Sequence, residues 1–241
     1  MDYFIIFVTT VAGLYFHWWL YVRIKRWMDR DLALSLAITG IEVDLRCINS
    51  EWLIFHDRFL QRTTNGHGPV HGHSLAELRS LQCHNGEAIP LLGELLQRVA
   101  GRCQLNLELK EEGDLEQLAV LLRQACRDWH FQPEQLLLSS FNHYLLADIA
   151  ARGWPYPRAA LFASLPLTLA ADAAALACSA LHIDIEVVNR QLVNDAHRRG
   201  LKVRVYTVDD ASELQQLAAM GVDGVFCNDP ARALALLGTP S

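Results

Sequence analysis

From residue 40 onward, short apolar runs alternate with segments of helical periodicity. The runs are Ile41–Leu45, Trp52–Phe55, Gln104–Leu109, Gln135–Ser139, Ala159–Phe162, Ala180–Ile183, Lys202–Val208 and Gly224–Phe226. Their brevity, their apolar content and the turn residues that bound them predict strands. In Asp114–Trp129, Asn142–Ala151, Asn189–Arg199 and Ala211–Met220, apolar residues recur at the spacing of one helix face. Ser74-Leu75-Ala76-Glu77 carries a capping-box signature that opens another helix. Gly200 and Gly221 stand where helices end, each just before a new strand. Strand and helix alternating at this rhythm mean βα units on a parallel sheet, and no linker-like boundary interrupts them after residue 40.

Ile41–Leu45 and Trp52–Phe55 are joined too tightly for a parallel crossover, so the second is a hairpin excursion. Seven parallel strands remain, and a (β/α)₈ barrel needs an eighth. Only the N-terminal apolar segment can supply it. Tyr3–Val22 contains no charge, and Arg23, Lys25, Arg26 and Arg30 follow. A helix of that length reaches about 30 Å and would span a bilayer with the remaining chain on the cytoplasmic side. One segment cannot cross a membrane and close a barrel at once. The chain therefore divides into residues 1–30, read as an atypical first strand and helix or a membrane anchor in contact with lipid through residues 3–22, and residues 31–241, the barrel.

Composition narrows the function. A formal charge of −6 argues against a broad basic face for nucleic acid. The six cysteines are scattered without a C-x-x-C pair, which fits reduced thiols in the cytoplasm better than a disulfide framework.

The candidate chemistry lies in two strands. In Ile41-Glu42-Val43-Asp44-Leu45 the period of two places Glu42 and Asp44 on one face. The same spacing aligns Asn106, Glu108 and Lys110. Carboxylates inside apolar strands are costly unless paired or bound to metal. Three that converge suit a hard cation, Mg²⁺ or Ca²⁺. His56-Asp57 ends the hairpin strand near these groups, and histidine is the side chain best suited to proton transfer near neutral pH. His67, His71 and His73, in a Gly-containing loop, form a weaker zinc candidate.

These residues resemble the glycerophosphodiester phosphodiesterase family. The resemblance is carried by Gly40-Ile41-Glu42-Val43-Asp44, Phe55-His56-Asp57 with Leu60, and Arg62-Thr63-Thr64-Asn65-Gly66. Ser74-Leu75-Ala76-Glu77-Leu78, Ile89-Pro90-Leu91-Leu92 and Leu105-Asn106-Leu107-Glu108-Leu109-Lys110 continue it. Ser139-Ser140-Phe141, Val205-Tyr206-Thr207-Val208-Asp209 and Gly221-Val222-Asp223-Gly224-Val225 with Asp229-Pro230 complete it. The resemblance implies a (β/α)₈ barrel that splits a small phosphodiester into glycerol 3-phosphate and an alcohol. It also implies that Glu42, Asp44 and Glu108 bind a divalent metal and that His56 moves protons. Lys110 would contact the phosphoryl group, and Phe141 and Tyr206 would line the alcohol side of the pocket.

One departure matters. The family's His-Arg-Gly strand end and Pro-Glu-Asn-Thr helix start are absent. His17 stands at nearly the expected distance before Glu42 and replaces the lost histidine if Gly13–Phe16 is the first strand. A shifted reading frame or start before residue 40 would also explain the departure. Two further readings follow: a catalytically impaired barrel, tethered or not, that acts as a binding or regulatory module, and a diesterase acting on lipid headgroups at the bilayer.

Overall fold

The computed structural model describes residues 19–22 and 40–228. The strands are β1 (Trp19–Val22), β2 (Gly40–Ile48), β3 (Glu51–Ile54), β4 (Gln104–Leu109), β5 (Leu136–Ser140), β6 (Arg158–Phe162), β7 (Ala180–Asp184), β8 (Lys202–Tyr206) and β9 (Gly224–Cys227). The α-helices are α1 (Leu75–Ser80), α2 (Leu92–Val99), α3 (Leu115–Asp128), α4 (His143–Ala151), α5 (Ala171–Ala175), α6 (Arg190–Arg198) and α7 (Ala211–Met220).

All pairings but one are parallel. β2, β4, β5, β6, β7, β8 and β9 lie side by side in that order. β1 then closes the ring, pairing with β9 from Trp19↔Gly224 to Val22↔Cys227 and with β2 at Val22↔Ile41. This is the eight-stranded α/β barrel. β4 runs along one side of β2, while β1 and β3 share the other. The antiparallel β3 takes over where β1 stops, with Leu45↔Ile54 through Ile48↔Glu51 in register.

The eighth strand comes from the N-terminal apolar segment, at Trp19–Val22, while Gly13–Phe16 lies outside the described residues. His17, the candidate replacement histidine, lies outside the described residues. So does most of the apolar run 3–22; its last four residues belong to the sheet. Among the described residues no helix is long and apolar enough to cross a membrane.

The period of two sorts each strand into an oily and a polar face. Ile41, Val43 and Leu45 on β2, and Leu105, Leu107 and Leu109 on β4, are buried against helix residues such as Leu95, Leu96, Leu118 and Leu122. The opposite faces carry Glu42, Asp44, Asn106 and Glu108, also buried. At the strand starts, Leu137, Ala159 and Ala180 form a separate apolar cluster beneath them. The barrel thus has its main hydrophobic layer outside the sheet, and its interior is left for polar chemistry.

Caps set where the helices begin. Asp114, Asn142 and Asn189 accept from the backbone N–H of Gln117, Leu145 and Leu192. Ser74 and Glu77 complete the reciprocal capping box. Gly221 ends α7 at φ 89°, a left-handed conformation that favours glycine.

Gly113 is required for a different reason. A Cβ there would stand 2.4 Å from Cys47 Cβ and 2.7 Å from Trp52 Cη2. The Trp52 indole also donates to Asp114 O at 3.0 Å. The β2–β3 hairpin is therefore locked onto the β4–α3 loop. Gly113→Ala should lower unfolding free energy by about 1–3 kcal/mol, the usual cost of overpacking. Urea denaturation checks this, and an unchanged midpoint would show that the hairpin is free to shift.

Candidate active site

Active sites of (β/α)₈ barrels form at the C-terminal ends of the strands, where loops present side chains over a rigid ring. Here the register of β2 with β4 places Glu42 beside Asn106 and Asp44 beside Glu108. Glu42, Asp44 and Glu108 are only 3%, 3% and 7% exposed. Each offers a carboxylate oxygen within 4.8 Å of the others. Among the described residues this is the one cluster of metal-capable side chains.

Lys110 follows the end of β4, fixed by its backbone N–H to Leu45 O at 3.1 Å. Its Nζ lies 2.6 Å from Glu108 Oε1 and 3.4 Å from Asp44 Oδ1. Burial by itself would push the ammonium to lower pKa, but the Asp44 and Glu108 charges outweigh it and hold Lys110 above its ordinary range. Lys110 is thereby favoured as a cation beside the carboxylates.

β3 returns His56 to the same level. The Phe55 N–H donates to Asp44 O at 2.9 Å, and Arg46 Nη2 donates to His56 O at 2.9 Å. His56 Nδ1 lies 2.7 Å from Asp57 Oδ1, and Arg62 donates to both oxygens of the same carboxylate. Burial opposes ionisation of Asp57, but hydrogen bonds from Arg62 and His56 prevail and lower its pKa. Asp57 is therefore an anion that orients the imidazole through Nδ1.

Phe141 and Tyr206 meet edge-on with ring centroids 6.1 Å apart, and Tyr206 meets Phe226 likewise at 6.1 Å. The Tyr206 hydroxyl donates to Phe162 O at 2.8 Å. Burial and the Asp184 and Glu108 charges push the phenol pKa up, so it stays neutral. The three rings wall a cavity of about 220 Å³ whose other side carries Glu42, Glu108, His56 and Lys110. Of the residues that the family resemblance assigned, Glu42, Glu108, His56, Lys110, Phe141 and Tyr206 line this cavity, and Asp44 belongs to the carboxylate cluster that does.

Among the described residues, His67, His71 and His73 join no metal-capable cluster. His71 Nε2 pairs with Glu111 Oε2 at 2.9 Å, and His73 Nδ1 lies 3.0 Å from Pro69 O. Glu111 also holds Arg46 at 2.5 Å, so these loop groups serve to brace β2.

His182 on β7 escaped the sequence reading. It is fully buried and lines the cavity. Its ring packs 4.7 Å from that of Phe226, and its Nε2 lies 3.2 Å from Arg204 Nη1. Burial, reinforced by Arg204, lowers its pKa well below the usual histidine value and keeps it neutral. The alternation in Leu181-His182-Ile183 marked it as inward-facing. Asn106 Oδ1 and Ser139 Oγ are likewise buried, without hydrogen-bond partners among the described residues.

A profile described as the glycerophosphoryl diester phosphodiesterase family matches residues 31–232. The chain belongs to this family. A glycerophosphodiester phosphodiesterase of Caldanaerobacter subterraneus subsp. tengcongensis is 29% identical over 216 residues, covering 85% of this chain and 88% of that one. Among solved structures, a phosphodiesterase from Oleispira antarctica in complex with the product sn-glycerol-3-phosphate superposes with TM-score 0.74 at 29% identity, covering 86% and 88% of the two chains. A glycerophosphodiester phosphodiesterase from Agrobacterium tumefaciens gives TM-score 0.69 at 25% identity over 85% and 90%. The family match begins after β1, so the segment without the His-Arg-Gly motif still supplies the strand that closes the barrel.

Proposed function

We propose that the protein hydrolyses glycerophosphodiesters to glycerol 3-phosphate and an alcohol, with a divalent cation bound by Glu42, Asp44 and Glu108, as part of the turnover of deacylated lipids. The observation that carries this reading is the convergence of the three carboxylates, Lys110 and His56 on one cavity of a size for glycerol. The donor set fits a hard cation. Lys110 pairs with two of the three buried carboxylates, Glu108 and Asp44, and Asp44 Oδ1 has no hydrogen-bond partner among the described residues. When bound, the ion supplies Lewis-acid stabilisation of charge on the phosphoryl oxygens.

The chain's own groups support an intramolecular displacement. Lys110 places a positive charge beside the phosphoryl position and counters the charge that grows there. We assign the aromatic wall, expected from the resemblance to line the alcohol side, to the glycerol instead, so that its adjacent hydroxyl faces phosphorus. That oxygen attacks phosphorus and passes its proton to solvent water while the bond to the other alcohol breaks. His56 Nε2 gives a proton to the departing oxygen, with Asp57 stabilising the imidazolium. Water then opens the cyclic phosphate to leave glycerol 3-phosphate.

The direct test is release of glycerol 3-phosphate from glycerophosphocholine and related diesters, followed with a coupled dehydrogenase. Chelation should abolish release, and Mg²⁺ or Ca²⁺ should restore it. Turnover that is indifferent to chelation overturns the metal-dependent reading, and binding without turnover would favour a non-catalytic barrel.

A further inference from the structure

Beside the aromatic cavity lies a second, more open chamber of about 490 Å³. His56 and Lys110 line both spaces and form the boundary between them. A phosphodiester with phosphorus at that boundary has two ester arms that diverge, one into each space. The arm that attacks through its own hydroxyl needs a fixed position, so it belongs in the aromatic cavity. The arm that departs needs a way out, so it belongs in the open chamber.

The chamber is lined by cations. Arg46, Arg58 and Arg62 face it together with Lys110, against a single carboxylate, Asp57. Most of these charges are engaged: Arg46 with Glu111, Arg62 with Asp57, and Lys110 with Asp44 and Glu108. The Arg58 carbonyl accepts from Val70 N–H at 3.0 Å, but its guanidinium has no ion pair or hydrogen bond with any described residue. The uncompensated charge of the chamber is therefore positive and resides on one exposed side chain.

We propose that this chamber is the leaving-alcohol site and that Arg58 makes it select diesters whose departing alcohol carries a negative charge over those carrying a quaternary or primary ammonium. This rests on the diesterase reading above and specifies its substrate class. A cationic headgroup meets Arg58 as a like charge, while a phosphate- or carboxylate-bearing one meets a guanidinium suited to bidentate recognition. Because Arg58 is exposed, the discrimination is moderate, roughly five- to twentyfold in kcat/KM, and shrinks as salt is raised.

The experiment compares bis(glycerophospho)glycerol, whose departing half bears a phosphate, with glycerophosphocholine, each at low and high salt. The wild-type chain is expected to favour the first. Arg58→Gln should bring the ratio of the two kcat/KM values toward unity, and Arg58→Glu should invert it. Arg58 is on the surface, so both variants should unfold at the wild-type midpoint, which thermal melts check. Turnover of both diesters with a ratio that Arg58→Glu leaves unchanged overturns the selectivity and spares the activity. No release from either diester overturns the activity and the selectivity with it.

Discussion

Glu42→Gln should lower kcat by about 10³-fold or more while leaving a folded protein. The substitution keeps the shape of the side chain and replaces one of three converging carboxylates by an amide. Lys110 keeps its contacts with Glu108 and Asp44, so the fixed cation stays in place. What changes is the charge available to a divalent ion. A ligand at about a hundred times its dissociation constant stabilises the native state by about 2.7 kcal/mol. In a domain of this size that shifts the midpoint by roughly 2–4 °C per kcal/mol. Thermal melts with chelator and with Mg²⁺ or Ca²⁺ should thus separate by several degrees for the wild type and coincide for Glu42→Gln. A variant that loses activity but keeps the full metal-induced shift would remove Glu42 from the metal site.

The second large effect concerns His56. Loss of a positioned proton-transfer group costs about 10²–10⁴-fold, so His56→Ala should reduce turnover of diesters with aliphatic alcohols by that amount. His56 lines both cavities, and the proposed placement of the leaving alcohol in the open chamber gives it the departing oxygen. A p-nitrophenyl diester, whose leaving group needs no proton, should then be far less affected. Equal losses on both substrates would move His56 to the attacking hydroxyl instead. Asp57→Asn should fall between these extremes, because it leaves the imidazole present but removes the anion 2.7 Å from its Nδ1.

Much of this was legible in one dimension. Alternation with a period of two placed Glu42 and Asp44 on one face and Asn106, Glu108 and Lys110 on another, and the register of β2 with β4 brings those faces together. The helix starts were written in Ser74, Asp114, Asn142 and Asn189, because short polar side chains satisfy the first free N–H groups locally. The need for an eighth strand followed from counting.

What the sequence alone determined is local: the strand faces, the helix ends, and the acidic and imidazole groups at strand tips. Tertiary structure decided the rest. Strand Trp19–Val22 is short and sits in an apolar run with no strand-like punctuation, and only its two partners, β9 and β2, fix where it lies. His182 and Arg204 read as isolated residues until the pairing of β7 with β8 sets them side by side in register. The two cavities that share His56 and Lys110 exist only because a hairpin folds back against the ring. Period and capping act within a few residues and can be read along the chain, whereas closure, register across distant strands and the shape of an enclosed space depend on contacts between segments far apart in it.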